Sequence, residues 1–309
     1  MLYYEHMKLL IINNLNSGYG EGSVYDFMRS FARENDELVV RNVIHTTDMI
    51  RHLHDANQYD MVVAAGDDDT ISKVSFFLAD TQIPILTYPS GTANLIAQNL
   101  FLPSEPHALA KLARECKTLN FDVGQLMVGD KKWGFGLNAG AGYITRIGNE
   151  AMATRKSLGP LAYVGAALNI KPQISKFTIE LKDRTIHTEG VGVMLLNFAK
   201  IGLDLSVTHN NRPRDGKFEV VILKGKTALK YVPALTAAAL DRAIEFPDRS
   251  DAIEIHKSSY VKVTADPEME IQIDGKTIST NTPFEAKVLK QAAKYVVDDE
   301  CLKNYSQEN

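Results

Sequence analysis

The chain has 309 residues, of which 45% are hydrophobic and 23% charged, which favours a folded protein with two domains. A formal net charge of -4 and a pI of about 6.1 argue against a nucleic-acid-binding protein, which usually carries a basic face. Only two cysteines occur, so no disulfide framework is expected and a reducing cytoplasm fits.

The first third of the chain alternates short apolar strands with helical patterns. The predicted pairs of strand and helix are KLLIINN with VYDFMRSFARE, ELVVRNV with DMIRHLHDAN, YDMVVAAG with TISKVSFFLAD, and IPILTYPS with TANLIAQNL. Such alternation favours a parallel sheet with helices on both faces. Ligands of these sheets bind beyond the carboxyl ends of the strands, so the turns that follow the strands are the candidate site.

The pattern changes after Asp122, where strand-like segments with alternating or β-branched residues predominate. Two helical segments, GPLAYVGAALN and ALKYVPALTAAALDRA, interrupt these strands, and the tail FEAKVLKQAAKYVVDDE is predicted to return to the first domain. The predicted fold class is α/β plus β. It consists of an α/β domain over residues 1–121, joined by the tail 286–309, and an antiparallel β-sandwich over residues 122–285.

Three turns rich in small residues each follow a predicted strand. They are NSGYG at residues 16–20, GDDDT at residues 66–70 and SGTAN at residues 90–94. Small residues before a helix let backbone N–H groups approach a phosphate. Each turn alone is more often an ordinary helix cap. Three such turns after neighbouring strands predict that they converge on one polyphosphate.

These motifs resemble, in their order, the diacylglycerol kinase and sphingosine kinase catalytic family in its soluble bacterial lipid-kinase branch. NLNSG is similar to the family's N-P-x-S-G turn with Leu15 in place of proline, and GDDDT is similar to its G-G-D-G-T loop. PSGTANLIAQNL is similar to its P-x-G-T-x-N helix start. FDVGQL, LNAGAGY, GPLAYVGAAL, RPRDGKFEVVIL and IQIDGK follow in the family's order over nearly the whole chain.

The resemblance implies an NAD-kinase-like nucleotide-binding domain, a β-sandwich domain for the lipid, and a nucleotide between them. It implies transfer of the γ-phosphoryl group of ATP to a diacylglycerol-like hydroxyl, with Mg2+. Asp68 would bind Mg2+ or take the substrate proton, and Asp215 would bind a further Mg2+, although a plain D-G turn is an open alternative there. The nucleotide-binding residues that it implies are Asn14, Ser17, Gly18, Gly66, Asp67, Asp69, Thr70, Gly91, Thr92 and Asn94.

Two family glycines are replaced by Asp67 and Asp69 in the GDDDT turn. Two like charges about 4 Å apart cost roughly 4 kcal/mol at an effective dielectric constant near 20, so these carboxylates oppose a triphosphate. Either the side chains point away from the phosphates, or a divalent cation bridges the pair and the phosphates. The same pair spells D-x-D, so a metal-dependent glycosyltransferase is a minor alternative.

The second departure from the family, after the altered glycine loop, lies in IDGK, where the family usually has D-G-E. Its glutamate is the proposed general base for the lipid hydroxyl, and Lys276 occupies that position here. A protonated lysine is a poor base at neutral pH. Asp274 is the reserve candidate for the base.

Two classes of function therefore stay open. One is an active lipid kinase; the other is a pseudokinase of the same fold that binds a lipid, a nucleotide or a protein partner. The expected partners are ATP and a lipid alcohol at a membrane surface, without nucleic acid, and a homodimer is left open. The apolar stretches are too short to span a bilayer, so we expect a cytoplasmic protein with at most peripheral contact to the inner membrane face.

Overall fold

A computed structural model describes residues 6–17, 23–143, 146, 166, 169–198, 212–225 and 253–306. The two helical segments predicted in the second domain, at residues 159–169 and 228–243, lie outside the described residues except for Ala166 and Asn169. The chain divides into two compact units. Unit 1 is Met1–Val123 with Leu289–Asn309, and unit 2 is Gly124–Val288.

Unit 1 contains a parallel sheet whose strands follow one another in the order β2-β1-β3-β4. The last strand of the chain, β16 (Phe284–Val296), pairs with β4 in parallel through Tyr295 and Ile85. Strands β1 and β3 are buried almost throughout, as expected for a parallel sheet covered on both faces. The bounds are β1 (Lys8–Asn14), β2 (Glu37–Val43), β3 (Met61–Gly66) and β4 (Ile85–Pro89).

The helices of unit 1 follow the predicted pattern in their positions but are shorter. Two helices, at residues 106–115 and 299–305, were not predicted. The first of them begins with Pro106, a favoured first residue of a helix. The second is capped by the Asp298 carboxylate, which accepts the N–H of Cys301 at 2.7 Å. The described helices are α1 (Ser23–Phe31), α2 (Met49–Leu53), α3 (Asp68–Phe77), α4 (Leu95–Asn99), α5 (Pro106–Glu115) and α6 (Asp299–Tyr305), with 3-10 turns at Thr46–Asp48 and Ala56–Gln58.

None of the helices in the described part of the chain reaches the length and apolarity that a membrane-spanning helix needs.

One apolar core joins the sheet of unit 1 to helices α1 and α5. Leu9 and Ile11 of β1 pack in the same cluster as Phe27 of α1 and Leu109 of α5. The buried side chains on α1 are three and four residues apart, which is the spacing of one helix face. This packing places the carboxyl ends of the strands over one continuous apolar core.

A buried ion pair between Asp36 and Arg114 ties the start of β2 to α5. Arg114 donates to both carboxylate oxygens and, from Nη2, to the Phe31 carbonyl at 2.6 Å, and its guanidinium lies 3.7 Å from the centre of the Phe31 ring. Asp36 also accepts the N–H groups of Met7 and Arg33. Burial alone would raise the pKa of Asp36, but these hydrogen bonds lower it below its ordinary value.

Unit 2 is built from antiparallel strands in two sheets. One sheet has the order β12-β11-β10-β7-β14-β15, and the other contains β13, β8 and β9, with the first half of β16 paired to β13. The bounds are β5 (Thr118–Val128), β6 (Lys131–Phe135), β7 (Asn138–Gly142), β8 (Ser175–Leu181), β9 (Thr185–Gly190), β10 (Gly192–Leu196), β11 (Phe218–Leu223), β12 (Ile253–Ser258), β13 (Tyr260–Asp266), β14 (Glu270–Ile273) and β15 (Lys276–Asn281).

Side chains from both sheets of unit 2 meet in one core. Phe218 and Val220 of β11 share this cluster with Phe177 of β8 and Val261 of β13. Two antiparallel sheets that face each other across one apolar layer form a sandwich. The predicted fold class, α/β plus antiparallel β-sandwich, is therefore confirmed.

We predict that Arg114→Met lowers the free energy of unfolding at neutral pH by about 3–5 kcal/mol, because it leaves the buried Asp36 carboxylate without its cation. The pKa of Asp36 is lowered in the folded state. Its stabilisation is therefore present above the unfolded pKa, about 4, and is lost as the pH falls through the folded-state pKa. Denaturant unfolding at several pH values should show a steeper acid loss in the native protein than in the variant.

Arg29→Met is the matched control, since Arg29 pairs with Asp26 on α1 where the side chains are 82% and 60% exposed. An exposed pair contributes little, so this variant should behave like the native protein. Native stability and a native acid profile in Arg114→Met would show that the buried pair is not a stabilising interaction.

Candidate functional site

The end of β1, just before the first turn, is joined to the second turn by a buried chain of hydrogen bonds. Asn14, the last residue of β1, donates from Nδ2 to Thr70 Oγ1 at 2.7 Å, and this hydroxyl donates to Asp67 Oδ1 at 2.7 Å. Thr70 is fully buried. The Asn14 carbonyl also accepts the hydroxyl of Ser17 at 2.9 Å. Asn14 therefore shapes its own turn and holds the GDDDT turn at the same time.

Asp67 is the N-cap of α3. Its backbone is extended, at φ -80 and ψ 175, and its carboxylate accepts the N–H of Thr70 at 3.0 Å in addition to the Thr70 hydroxyl. Aspartate is among the best capping residues because its oxygen satisfies a backbone donor that the helix leaves open. The side chain is thus turned back onto its own helix.

The third turn packs directly against the second. A side chain at Gly91 would bring its Cβ to within 2.7 Å of Asp67 Cα, so only glycine fits there. The N–H of Ser90 donates to the Gly66 carbonyl at 3.2 Å. Asn94, in the left-handed conformation, accepts the N–H of Gly91 at 2.8 Å and donates to its carbonyl at 2.9 Å. The second and third turns thus meet, and Asn14 links the end of β1 to them. Of the first turn only Asn16 and Ser17 are described, and Gly18 lies outside the described residues, so the convergence of all three turns stays a prediction.

The other two aspartates of the turn also have partners within unit 1. Asp68 is buried, and its Oδ1 accepts the N–H of Ile96 at 2.8 Å, which is an open donor at the start of α4. Asp69 pairs with Lys73 one helical turn later, at 2.9 Å. Each of the three carboxylates of the turn therefore contacts a different part of the local fold.

These contacts decide how well the turn suits a metal. The described residues contain no group of three or more His, Cys, Asp or Glu side chains that could hold an ion. Asp67 and Asp69, the pair expected to bridge a cation, are directed to Thr70 and Lys73. These residues do not fit a Mg2+ site of their own, and the arrangement gives no support to a D-x-D glycosyltransferase.

Two hydroxyl groups of the third turn are candidates for contact with a ligand, one buried and one exposed. The Ser90 hydroxyl is buried and has no hydrogen-bond partner in the part of the chain that the structure describes. Thr92, predicted from the resemblance, is exposed at the tip of the turn. Ser90 was not predicted as a site residue, because a serine in a loop carries no signal until its hydroxyl is seen to be buried without a partner.

The IDGK segment of unit 2 forms the turn between β14 and β15. Asp274 is in the left-handed conformation, with φ 47, and its carboxylate accepts the N–H groups of Gly136, Leu137 and Asn138, each at 2.9 Å. This carboxylate therefore fixes the chain before β7 with both of its oxygens. Lys276 is exposed at the first position of β15.

The RPRDGK segment forms the turn before β11. Asp215 accepts the N–H of Lys217 at 2.9 Å, which is the contact of a local aspartate turn. Its second carboxylate oxygen faces the ammonium of Lys257 at 3.7 Å.

The fold and the converging turns define the class of protein to which this chain is similar. Residues 8–126 match the diacylglycerol kinase catalytic domain, and the predicted resemblance to that family is confirmed. Over 301 residues the chain is 25% identical to "Probable lipid kinase YegS-like" of Klebsiella pneumoniae (strain 342). This alignment covers 95% of this chain and 97% of that protein.

Two further proteins extend the comparison. The chain is 24% identical over 223 residues to "Diacylglycerol kinase" of Staphylococcus haemolyticus (strain JCSC1435), covering 70% of this chain and 65% of that protein. A solved structure of a diacylglycerol kinase from Bacillus anthracis str. Sterne has a TM-score of 0.70 at 17% identity, covering 96% of this chain and 98% of that one. The structural likeness supports the fold.

We predict that Asp67→Ala lowers the free energy of unfolding by about 1 kcal/mol, because it removes the cap of α3. Asp67→Asn should retain most of that stability, since an amide oxygen also accepts the Thr70 N–H. Asp69→Ala, the matched change two residues later, removes the pair with Lys73, worth about 0.3–0.5 kcal/mol. Denaturant unfolding measures all three. Equal stability of Asp67→Ala and Asp67→Asn would exclude the capping role.

Proposed function

We propose that the protein is a lipid kinase that transfers the γ-phosphoryl group of ATP to the hydroxyl of a diacylglycerol-like lipid. The observation that carries this proposal is the assembly of the GDDDT turn with its neighbours in unit 1, through the hydrogen bond from Asn14 to Thr70 and the one from Ser90 to Gly66. The match of residues 8–126 to the catalytic domain supports it. In this proposal ATP supplies the phosphoryl group and this chain positions it.

The nucleotide phosphates would bind at the N-terminus of α3, next to Gly66 and Gly91. A helix N-terminus favours an anion because its first N–H groups are open and the helix dipole is positive there. The Thr70 N–H and hydroxyl are the donors best placed for this role, and both are already bonded to Asp67. Binding would therefore require the Asp67 side chain to rotate away, or the phosphates to use the hydroxyls of Ser90 and Thr92.

A second candidate function is a pseudokinase, a binding module of the same fold that transfers no phosphate. The engagement of Thr70 by Asp67 favours it, and so does Lys276 at the position of the family's base. Whichever function applies, we propose roles in binding or catalysis for six further residues: Asn14, Ser17, Gly18, Asn94, Asp68 and Asp274. We assign no step to Mg2+, because the carboxylates of the turn do not gather around an ion.

We predict that Asp67→Gly strengthens ATP binding about tenfold or more. The change removes one negative charge beside the phosphates, worth roughly 1–4 kcal/mol at about 4 Å, and frees both donors of Thr70. Glycine is itself a tolerated N-cap, so the helix loses only a few tenths of a kcal/mol. Isothermal titration calorimetry with ATP, with and without Mg2+, measures the affinity.

Asp69→Asn is the control, because the charge of Asp69 is already compensated by Lys73 and its removal should change the affinity much less. Weaker ATP binding in Asp67→Gly than in the native protein would show that this carboxylate belongs to the ligand site.

We also predict that Lys276→Glu raises the rate of phosphate transfer without a comparable change in ATP affinity. A general base contributes typically a factor of about 10²–10⁴ and acts only in the transition state. Transfer of radiolabelled phosphate to diacylglycerol in mixed micelles compares the native protein, this variant and Lys287→Glu, a control at an exposed lysine of β16.

Fast native turnover that falls in Lys276→Glu would mean that another group is the base, and Asp68 and Asp274 would be tested next. Absence of turnover in every form, including Lys276→Glu combined with Asp67→Gly, would exclude the kinase proposal and leave the binding module.

A further inference from the structure

One ammonium group of unit 2 lies between two carboxylates. Lys257 of β12 is directly opposite Glu219 of β11 in the antiparallel pair. Its Nζ lies 3.6 Å from Glu219 Oε1 and 3.7 Å from Asp215 Oδ2. The Glu219 side chain is only 3% exposed. A carboxylate that is this well buried needs a compensating positive charge.

Among the residues that the structure describes, the surroundings of the two carboxylates are unsuited to a divalent cation. Mg2+ and Ca2+ require about six or more oxygen ligands around one point. Here the Arg212 carbonyl accepts the N–H of Asp215 at 3.2 Å, and Asp215 Oδ1 accepts the N–H of Lys217 at 2.9 Å. The RPRDGK segment also adds three positive charges of its own next to Asp215. The family resemblance implied a Mg2+ ion at Asp215, and these residues do not fit it.

We propose that the Lys257 ammonium takes the place of a divalent cation at Asp215 and Glu219. Lys257 reaches Glu219 from the neighbouring strand and Asp215 from the side of the turn, so it joins the turn to the sheet as a bound ion would. The turn before β11 then keeps its shape without a metal. This holds whether or not the protein transfers phosphate.

The first test is thermal unfolding of the native protein without nucleotide, in EDTA and in excess Mg2+, Ca2+ or Mn2+. The melting temperature should be the same in all four solutions. A rise with any of the ions that disappears in Asp215→Asn would overturn the proposal, because this carboxylate would then be open to a metal.

The second test removes the internal cation. Lys257→Met retains the aliphatic part of the side chain and loses the charge. It should lower the melting temperature in EDTA by roughly 5 °C or more. Ca2+ or Mn2+ should restore little of the loss, because the two carboxylates offer fewer oxygen ligands than either ion requires.

Lys262→Met is the matched control. Lys262 of β13 is 36% exposed, as is Lys257, and also lies near two carboxylates, 4.0 Å from Glu180 Oε1 and 3.7 Å from Glu285 Oε1. Those two side chains are 45% and 40% exposed, so water solvates them. This variant should lose little stability and should not respond to the ions.

If Lys257→Met does not fold, the double variant with Glu219→Gln still tests the proposal, because it removes the buried negative charge as well. The double variant should then be more stable than the single one. The proposal fails if the second change recovers nothing. It also fails if Lys257→Met folds with native stability in EDTA, or if Ca2+ or Mn2+ restores the native melting temperature.

Discussion

The hydrogen-bonded chain from Asn14 through Thr70 to Asp67 is the interaction on which the candidate site depends. It lies at the carboxyl ends of β1 and β3, where open backbone donors and acceptors must be satisfied. The core formed by β1, β3, α1 and α5 fixes the strands, and this chain fixes the turns that leave them. Gly91 can then pack against Asp67 without a side chain in between.

A carboxylate that caps a helix and a phosphate bound at a helix N-terminus use the same donors. Asp67 accepts the Thr70 N–H and hydroxyl, which are the donors of the proposed phosphate site. The turn is therefore complete without a ligand. The stability of the turn therefore lowers its affinity for an anion. The contact between Asp67 and Thr70, which caps α3, has to break before a phosphate can bind Thr70.

Much of the fold could be predicted from periodicity. Alternating strands and helices indicated the parallel sheet of unit 1, and β-branched alternation indicated the sandwich of unit 2. The meeting of the second and third turns followed from the geometry of parallel sheets, since neighbouring strands end at one edge. Helices α5 and α6 were missed, although Pro106 and Asp298 are ordinary start signals.

The directions in which the carboxylates of the candidate site point could not be predicted from the sequence. The rotamer of an aspartate depends on nearby hydrogen-bond donors, and these donors come close only when the chain folds. Asp68 accepts the N–H of Ile96, which lies 28 residues later in the chain. Lys257 meets Glu219 only because β11 and β12 pair in one register. Repulsion between Asp67, Asp69 and a phosphate was a sound expectation from charge, but charge alone does not say where a side chain points.

The most direct measurement is an NMR titration of isotopically labelled protein with ATP, following the backbone amide signals of Ser17, Thr70 and Gly91. If the three turns form one phosphate site, these signals should move together over the same range of ATP concentration. Thr70 should move most, because its N–H exchanges Asp67 for a phosphate oxygen. Signals that move elsewhere in the chain, while these three stay unchanged at saturating ATP, would contradict the account.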